Sequence, residues 1–256
     1  MHLVACQFDL AWEDRTANYA AARELLEKES LPLGSLIVLP EMFASGYSMD
    51  VDRVAEPSSA PTRAFLRELA QTYQSWVLGG LVEKGSLSRG KNLACLYRPD
   101  GSDAGCYQKI HTFTYAGESD HYERGRDLLL EPIGDFALCP LICYDLRFPE
   151  LFRRGTDLGA SLFAVIANWP SARLAHWLTL LRARAIENQA VVIGVNRTGT
   201  DPKHVYPGHS IIINEQGNIL AEAGETPQCI SADVSFAQVE GWRNEFPALR
   251  DRIASP

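Results

Sequence analysis

The amino-acid sequence predicts an α/β protein, and three patterns point to this class. Short apolar runs of strand length recur along the chain, and several are apolar on both faces, as in strands covered by another layer on each side. Segments with the period of a helix lie between some of these runs. Near the C-terminus, two apolar runs flank residues 214–218, which predicts a hairpin and some antiparallel pairing. These patterns leave the number of sheets open.

Eight apolar runs are predicted as strands, namely residues 3–8, 36–39, 76–82, 93–97, 136–142, 161–167, 191–195 and 210–213. Two of the predicted helices are marked by the apolar sets Tyr19, Ala22, Leu25 and Leu26, and Phe65, Leu66, Leu69 and Tyr73. The longest helix is predicted over residues 173–189, where an apolar stripe contains Leu174, Trp177, Leu178, Leu181, Ala185 and Ile186.

Length and composition predict one globular domain over residues 1–256. Of these residues 46% are hydrophobic and 22% charged, and the chain contains no linker, repeat or low-complexity tract. The formal net charge is −8 without any basic run, so neither a nucleic acid nor an anionic membrane is expected as a partner. The first nine residues do not resemble a signal peptide, and no apolar run reaches the length of a membrane span. A cytoplasmic protein is therefore expected.

The spacing of cysteine and histidine argues against a redox or metal protein. The six cysteines are scattered and form no C-x-x-C pair, so all six are expected to be reduced thiols. The six histidines form no H-E-x-x-H motif and no close pair. The spacing therefore predicts no metal site.

Cys143 is a candidate nucleophile because it ends a predicted strand and precedes Pro149, which can begin a helix. A side chain at such a tight turn projects above the sheet, and neighbouring backbone N–H groups point toward a bound ligand. A thiol there is expected to be partly ionised and able to attack a carbonyl group. The alternative is that Cys143 is a small buried apolar residue, as most free cysteines are.

Two charged residues occupy positions that suit the same chemistry. Glu41 directly follows the strand predicted at 36–39, and Lys109 lies in Tyr107-Gln-Lys-Ile-His-Thr-Phe. Taken singly, Glu41 is equally a solvated loop residue or a helix cap, and Lys109 is equally a surface lysine. Together with Cys143 they supply the parts for amide hydrolysis: a base, a nucleophile that forms a thioester, and a cation. Lys109 would lower the thiol pKa and face the oxyanion beside the backbone N–H of Tyr144.

Three segments around these residues resemble the catalytic blocks of the nitrilase (carbon–nitrogen hydrolase) superfamily. They are Leu39-Pro-Glu-Met-Phe, the Lys109 segment quoted above, and Leu141-Ile-Cys-Tyr-Asp-Leu-Arg-Phe-Pro-Glu, in the family's order of Glu, Lys and Cys. Arg182-Ala-Arg-Ala-Ile-Glu-Asn-Gln resembles the family segment that follows its fifth major strand. The resemblance extends from the first strand to the last hairpin.

The resemblance implies a four-layer αββα sandwich of the nitrilase type, without metal or organic cofactor. It implies that Glu41, Lys109 and Cys143 are catalytic, with a second glutamate in the loop after the lysine. Glu118 is the matching residue, and Glu123 is its competitor. A homodimer is also implied, through the helices near residues 149–153 and 173–188.

Within the superfamily, the chain is most similar to the ω-amidase branch, which hydrolyses 2-oxoglutaramate and 2-oxosuccinamate. The similarity rests on Ala167-Asn-Trp-Pro, Leu174-Ala-His-Trp and the segment after Cys143. A substrate of this kind carries a carboxylate, for which Arg173 is the first candidate partner and Arg197 the second. Either arginine could instead belong to a surface or interface ion pair.

Three aromatic residues are expected either to wall the substrate pocket or to belong to the core, since each closely follows a block named above. They are Tyr47, Phe113 and Trp169.

Three alternative functions are compatible with the sequence. Within the superfamily, an N-carbamoyl hydrolase, an aliphatic amidase and a true nitrilase share the same catalytic residues, so only the pocket separates them. A Cys–His hydrolase would use His111, His176 or His209 as its base, and this reading requires Glu41 to lie far from Cys143. A catalytically silent binding protein on the same fold is a third alternative, although none of the three catalytic residues is missing.

Overall fold

The computed structural model describes residues 1–57 and 59–253 of the chain, and its strands form two large sheets and one small ribbon. The strands are β1 (His2–Gln7), β2 (Leu36–Val38), β3 (Trp76–Lys84), β4 (Gly90–Tyr97), β5 (Asp103–Gln108), β6 (Tyr122–Glu123), β7 (Glu131–Ile133), β8 (Phe136–Ile142), β9 (Leu162–Ile166), β10 (Val191–Val195), β11 (Thr198–Thr200), β12 (Val205–Pro207), β13 (Ile211–Ile213), β14 (Ile219–Glu222) and β15 (Gln228–Asp233).

The helices alternate with these strands along much of the chain, as the predicted α/β class requires. They are α1 (Arg15–Leu26), α2 (Val51–Val54), α3 (Pro61–Tyr73), α4 (Glu118–His121), α5 (Pro149–Asp157), α6 (Leu174–Asn188) and α7 (Phe236–Glu245). Short 3₁₀ turns cover Thr114–Ala116, Cys143–Arg147 and Ser171–Arg173.

The two sheets are mixed, and each has a parallel centre. Among the described residues, the first sheet has the order β15-β1-β2-β3-β4-β5, with β6 paired to β4, and the second has the order β14-β13-β10-β9-β8-β7. Strands β1, β2 and β3 run parallel, as do β8, β9 and β10. Because parallel strands end at the same edge of a sheet, the loops after β2, β8 and β9 are placed to build one site.

The layers follow from which faces are apolar. Inward side chains of both sheets share one core, which includes Leu78 from the first and Ala164 from the second. On the outer face of the first sheet, α1 and α3 pack together through stacked rings of Tyr19 and Phe65, 4.4 Å apart. On the outer face of the second, Phe152 of α5 packs against Phe163 of β9. The predicted αββα sandwich is confirmed.

The element predictions hold where a strand is buried on both faces. All eight predicted strands form, and the hairpin forms as β13 and β14, with Ile211 opposite Glu222. The long predicted helix is α6, which begins at Leu174 after a 3₁₀ turn rather than at residue 173. Strands β5 and β15 were not predicted, because both mix polar and apolar residues and only part of each strand is buried. Helix α7 was also missed, since Val239 is its one buried residue.

The expectation of six reduced thiols is wrong for two of them. Cys95 of β4 and Cys106 of β5 are joined by a disulfide. They are 11 positions apart in sequence, but the antiparallel register sets them directly opposite each other. Spacing rules for sequential motifs do not detect such a pair. Across residues 1–57 and 59–253, no helix has the length and apolar character to cross a membrane.

Candidate active site

Glu41 lies just beyond β2, fully buried, and its carboxylate is surrounded by donors. Oε1 accepts hydrogen bonds from Lys109 Nζ at 2.9 Å and from Asn92 Nδ2 at 2.8 Å. Oε2 accepts from the backbone N–H of Asn168 at 2.9 Å and more weakly from its Nδ2 at 3.3 Å. Hydrogen bonds of this number offset the loss of hydration that burial of a carboxylate causes. Glu41 is therefore held in one orientation from both sheets.

Lys109 follows β5 and is also fully buried, contrary to the surface alternative. Its ammonium group donates to Glu41 Oε1 and to both carboxylate oxygens of Glu118, at 2.9 to 3.0 Å. Burial alone would lower the pKa of Lys109, but Glu118 and Glu41 together raise it well above the ordinary value. Lys109 is consequently protonated, and its ammonium group is held in position by the two carboxylates.

Glu118 opens the short helix α4 and is the second carboxylate on Lys109. It also accepts hydrogen bonds from Tyr47 Oη at 2.9 Å, from Asn92 Nδ2 at 3.1 Å and from the backbone N–H of Phe113 at 2.6 Å. Its competitor Glu123 instead bonds Ser86 on the protein exterior. Of the two glutamates considered, Glu118 is thus the one that contacts Lys109.

Cys143 stands at the turn between β8 and the following 3₁₀ segment. Its φ is +47°, a left-handed conformation that non-glycine residues rarely adopt. The buried carboxylate of Asp145 supports the turn by accepting hydrogen bonds from the backbone N–H of Ile142 and from Tyr107 Oη. This strained backbone aims the side chain of Cys143 out of the sheet edge, as the sequence predicts.

The environment of Cys143 favours the neutral thiol. Burial raises its pKa well above the ordinary value, and Glu41 raises it further. Lys109 lowers the pKa, but does not offset these two effects. A partly ionised resting thiol, expected from the sequence, is therefore not what this environment favours. A neutral thiol beside a carboxylate needs that carboxylate to remove its proton as it attacks.

A pocket of about 430 Å³, including its open mouth, lies directly over Cys143. Of the residues predicted for substrate binding or the oxyanion, five line the pocket, namely Tyr47, Phe113, Tyr144, Trp169 and Arg173, whereas Lys109 and Arg197 do not. Six others were not predicted to line it: Ala116, Arg147, Asn168, Pro170, His204 and Tyr206. Arg147 ends the 3₁₀ segment that begins at Cys143, which keeps it near the nucleophile in sequence.

Two guanidinium groups face this pocket. Arg147 lies 4.8 Å above the ring of Trp169, and Arg173 lies 5.5 Å above the ring of Phe113. Burial and the neighbouring positive charge of Arg173 lower the pKa of Arg147. Two cations this close to each other leave an unbalanced positive potential, which suits a carboxylate ligand.

The second candidate arginine, Arg197, forms its hydrogen bonds with residues outside the pocket. Its side chain is fully buried and bonds the carboxylate of Asp9 and the backbone oxygens of Leu10 and Thr200. Its guanidinium carbon lies 4.5 Å from the ring centroid of Tyr206, which lines the pocket. Arg197 is thus a structural support for the pocket wall.

The three histidines considered as bases have other partners. His111 contacts Asp145 and stacks on Phe148, His176 contacts Arg147, and His209 contacts Glu222. None of the three is among the described residues that line the pocket. The geometry therefore places none of these three histidines where it could serve as the base for Cys143.

Comparison with known proteins agrees with this geometry. Residues 3–244 match the family model described as carbon–nitrogen hydrolase. The omega-amidase YafV of Yersinia enterocolitica is 37% identical, over 98% of this chain and 96% of its own. A 2-oxoglutaramate amidase of Bacillus subtilis (strain 168) is 32% identical, over 97% and 96% respectively.

Solved structures give the same result. A CN-hydrolase superfamily protein of Xanthomonas campestris, determined with an arsenic adduct in its active site, superposes with a TM-score of 0.93. It is 32% identical, and the match covers 100% of this chain and 98% of that one. Fold and relatives together define an enzyme that hydrolyses carbon–nitrogen bonds. The chain belongs to the carbon–nitrogen hydrolase family, and the predicted family and enzyme class are confirmed.

Proposed function

We propose that the enzyme is an ω-amidase that hydrolyses the terminal carboxamide of a short 2-oxo dicarboxylic acid monoamide, 2-oxoglutaramate or 2-oxosuccinamate. The observation that carries the proposal is a small pocket in which Cys143 faces two guanidinium groups, Arg147 and Arg173. A nucleophile and two cationic groups that line one pocket suit a substrate with an amide and a carboxylate. The names of the two curated relatives support the same substrate class.

The chemistry follows from the cluster around Cys143. Glu41 takes the thiol proton while Sγ attacks the amide carbon, and the oxyanion is stabilised by Lys109 Nζ and the backbone N–H of Tyr144. The C–N bond then breaks, and ammonia leaves with the proton held by Glu41. A water molecule, activated by Glu41, attacks the thioester, releases the carboxylate product and restores the thiol.

Glu118 has a supporting role in this proposal. By accepting two hydrogen bonds from Lys109 it positions the ammonium group. It also accepts hydrogen bonds from Tyr47 Oη and the backbone N–H of Phe113, which fixes both residues relative to Lys109. Tyr47, Phe113 and Trp169 enclose the aliphatic part of the substrate. The proposal uses no metal and no organic cofactor.

The testing experiment is ammonia release from a panel of substrates, with wild-type enzyme beside Cys143→Ala. The panel contains 2-oxoglutaramate, succinamate, an N-carbamoyl amino acid, a simple aliphatic amide and a nitrile. Fast release from 2-oxoglutaramate that the variant abolishes is the expected result. Preference for any of the last three would assign the enzyme to another activity of the superfamily. Release from none of them would support a silent binding protein.

We further propose a homodimer, assembled through α5 and α6. The exposed side chain of Ile186 on α6 supports this assignment, because a large aliphatic group on a helix surface gains from being covered. Light scattering coupled to gel filtration is expected to give twice the chain mass. An Ile186→Glu variant is expected to shift the population toward monomer, and a monomeric wild type would overturn the assembly.

A further inference from the structure

The side chain of Asn168 has two ends with different surroundings. Asn168 follows β9, and its Nδ2 donates to the backbone oxygen of Glu41 at 2.7 Å and to Glu41 Oε2 at 3.3 Å. Both partners are acceptors, so only the nitrogen end can face them. The amide orientation is thereby decided, and Oδ1 points away from Glu41.

Oδ1 has no hydrogen-bond partner within residues 1–57 and 59–253, although Asn168 is only 5% exposed. A buried carbonyl oxygen without a donor destabilises the folded state, and such atoms in native proteins call for an explanation. Asn168 lines the same pocket as Cys143, and the Cys143 sulfur lies 3.9 Å from the backbone oxygen of Asn168. The unpaired acceptor therefore belongs to a residue at the reacting end of the pocket.

The neighbouring carboxylates leave little capacity to bind another donor. Glu41 already accepts from Lys109, Asn92 and both nitrogens of Asn168, and Glu118 accepts from Lys109, Asn92, Tyr47 and Phe113. A carboxamide arriving at Cys143 brings two N–H donors that lose water as they enter. An acceptor is needed at this end of the pocket, and Asn168 Oδ1 is unoccupied.

We propose that Asn168 Oδ1 accepts a hydrogen bond from the carboxamide nitrogen of the substrate, and so selects an amide over the ester of the same acid. An ester presents an oxygen lone pair at that position, which Oδ1 cannot bind. The inference rests on the proposed amidase function, and it adds a specificity-determining residue to it. Asn168 then contacts the substrate through Oδ1 and positions Glu41 through the hydrogen bonds of Nδ2.

The two roles of Asn168, positioning Glu41 through Nδ2 and binding the substrate through Oδ1, predict different effects of removing its side chain. If Asn168 acted only on Glu41, its loss would slow amide and ester hydrolysis by the same factor, since both require the same base. If Oδ1 binds the amide nitrogen, its loss slows the amide more. The ratio of the two rates therefore separates the two roles.

The experiment measures kcat/KM for succinamate and for monomethyl succinate, which form the same succinyl thioester on Cys143. In Asn168→Ala, the amide-to-ester ratio is expected to fall about tenfold, the typical effect of losing one buried hydrogen bond. Asn92→Ala is the matched control, because Asn92 also donates to Glu41 but is absent from the pocket wall. It should lower both rates and leave the ratio unchanged.

Asn168→Asp gives a second measurement should the alanine variant fold poorly. It keeps an oxygen at the Oδ1 position but loses the Nδ2 donor, so both rates should fall while the ratio stays near the wild-type value. An unchanged ratio in Asn168→Ala, or an equal drop of the ratio in Asn168→Asp, would overturn the inference. Wild-type enzyme that hydrolyses no amide at all would instead refute the proposed function.

Discussion

Gly80 of β3 packs directly beneath the turn that carries Glu41. A Cβ added to Gly80 would come within 2.6 Å of Glu41 Cα and 2.4 Å of the Met42 backbone nitrogen. The two segments are also joined by hydrogen bonds from Gly80 N–H to the Pro40 oxygen and from Phe43 N–H to the Gly80 oxygen. The position of the proposed base thus depends on the absence of a side chain 39 residues away in sequence.

Gly80→Ala should displace Glu41 and abolish most of the activity. The clash is with backbone atoms, which cannot rotate away, so a loss of about 1–3 kcal/mol in the free energy of unfolding is also expected. Urea unfolding and kcat/KM for the amide would check both effects. Gly241→Ala is the control: nothing lies within 4 Å of the added Cβ, and alanine in helix α7 should stabilise the protein slightly. Full activity in Gly80→Ala would contradict the close packing.

Glu118→Gln should inactivate the enzyme while Glu123→Gln leaves it active. The first change removes one of two carboxylates from a buried ammonium group, which misplaces Lys109 and leaves its charge undercompensated. A fall in kcat of about 10²–10³ is expected, as for loss of an oxyanion donor. The second change alters an exterior contact to Ser86. Equal activity of the two variants would remove Glu118 from the mechanism.

The pH dependence of Cys143 alkylation should reveal its raised pKa. Because the pKa is raised, the folded state favours the protonated thiol. The resulting contribution to stability is present below the ordinary thiol pKa of about 8.5 and is lost as pH rises through the higher folded value. Iodoacetamide labelling, followed by mass spectrometry of the Cys143 peptide, should keep accelerating above that pH.

Glu41→Gln tests the electrostatic part of that shift. Removing the negative charge should move the labelling midpoint to lower pH, because Glu41 raises the pKa of Cys143. The same variant should lose amide hydrolysis, since the proton acceptor is gone. Labelling that is faster while catalysis is absent would separate the two effects of Glu41. A midpoint that moves upward would contradict the assignment of charges in the cluster.

Arg173→Ala and Arg147→Ala should each raise KM for 2-oxoglutaramate by about 10- to 100-fold, which corresponds to loss of a charge-assisted hydrogen bond. Propionamide, which has no carboxylate, should be hydrolysed equally by wild type and variants. That substrate is the control for damage to the pocket itself. An Arg173→Ala enzyme with unchanged KM for 2-oxoglutaramate would eliminate Arg173 as the carboxylate partner.

Reduction of the Cys95–Cys106 disulfide should lower stability without changing the active site. Closing a loop of 11 residues removes unfolded-state entropy worth about 3 kcal/mol. Cys95 packs on the outer side of the first sheet, toward α3, away from the core shared by both sheets. Thermal unfolding with and without reductant would test this. Cys95→Ser should reproduce the reduced state and then show no further response to reductant.

The sequence alone predicts those parts of the molecule that local rules determine. Doubly buried strands are visible as apolar runs, and Glu41 and Cys143 are visible because each ends such a run. Asn168 also follows a strand, but its short polar side chain resembles an ordinary loop residue. The role of Asn92 could not be predicted either, because nothing in the sequence of β4 indicates that this asparagine bonds two carboxylates, those of Glu41 and Glu118.

The contacts that the sequence could not predict join residues far apart in the chain. Asn168 and Glu41 are separated by 127 positions, and the oxidised cysteine pair depends on the register of β4 with β5. Such contacts are properties of the packed sheets, and no periodicity within a single element encodes them. The family resemblance supplied the Glu118 position, which local rules alone would have left undetermined.

The left-handed backbone conformation of Cys143 destabilises the folded protein at the same position that supplies the nucleophile. Glycine adopts this conformation freely, so Cys143→Gly should relieve strain of about 1 kcal/mol while removing the sulfur. A lineage released from selection for hydrolysis would then gain folding stability by losing its nucleophile first. Members of this fold that have turned to pure binding are accordingly expected to carry glycine or asparagine at this turn.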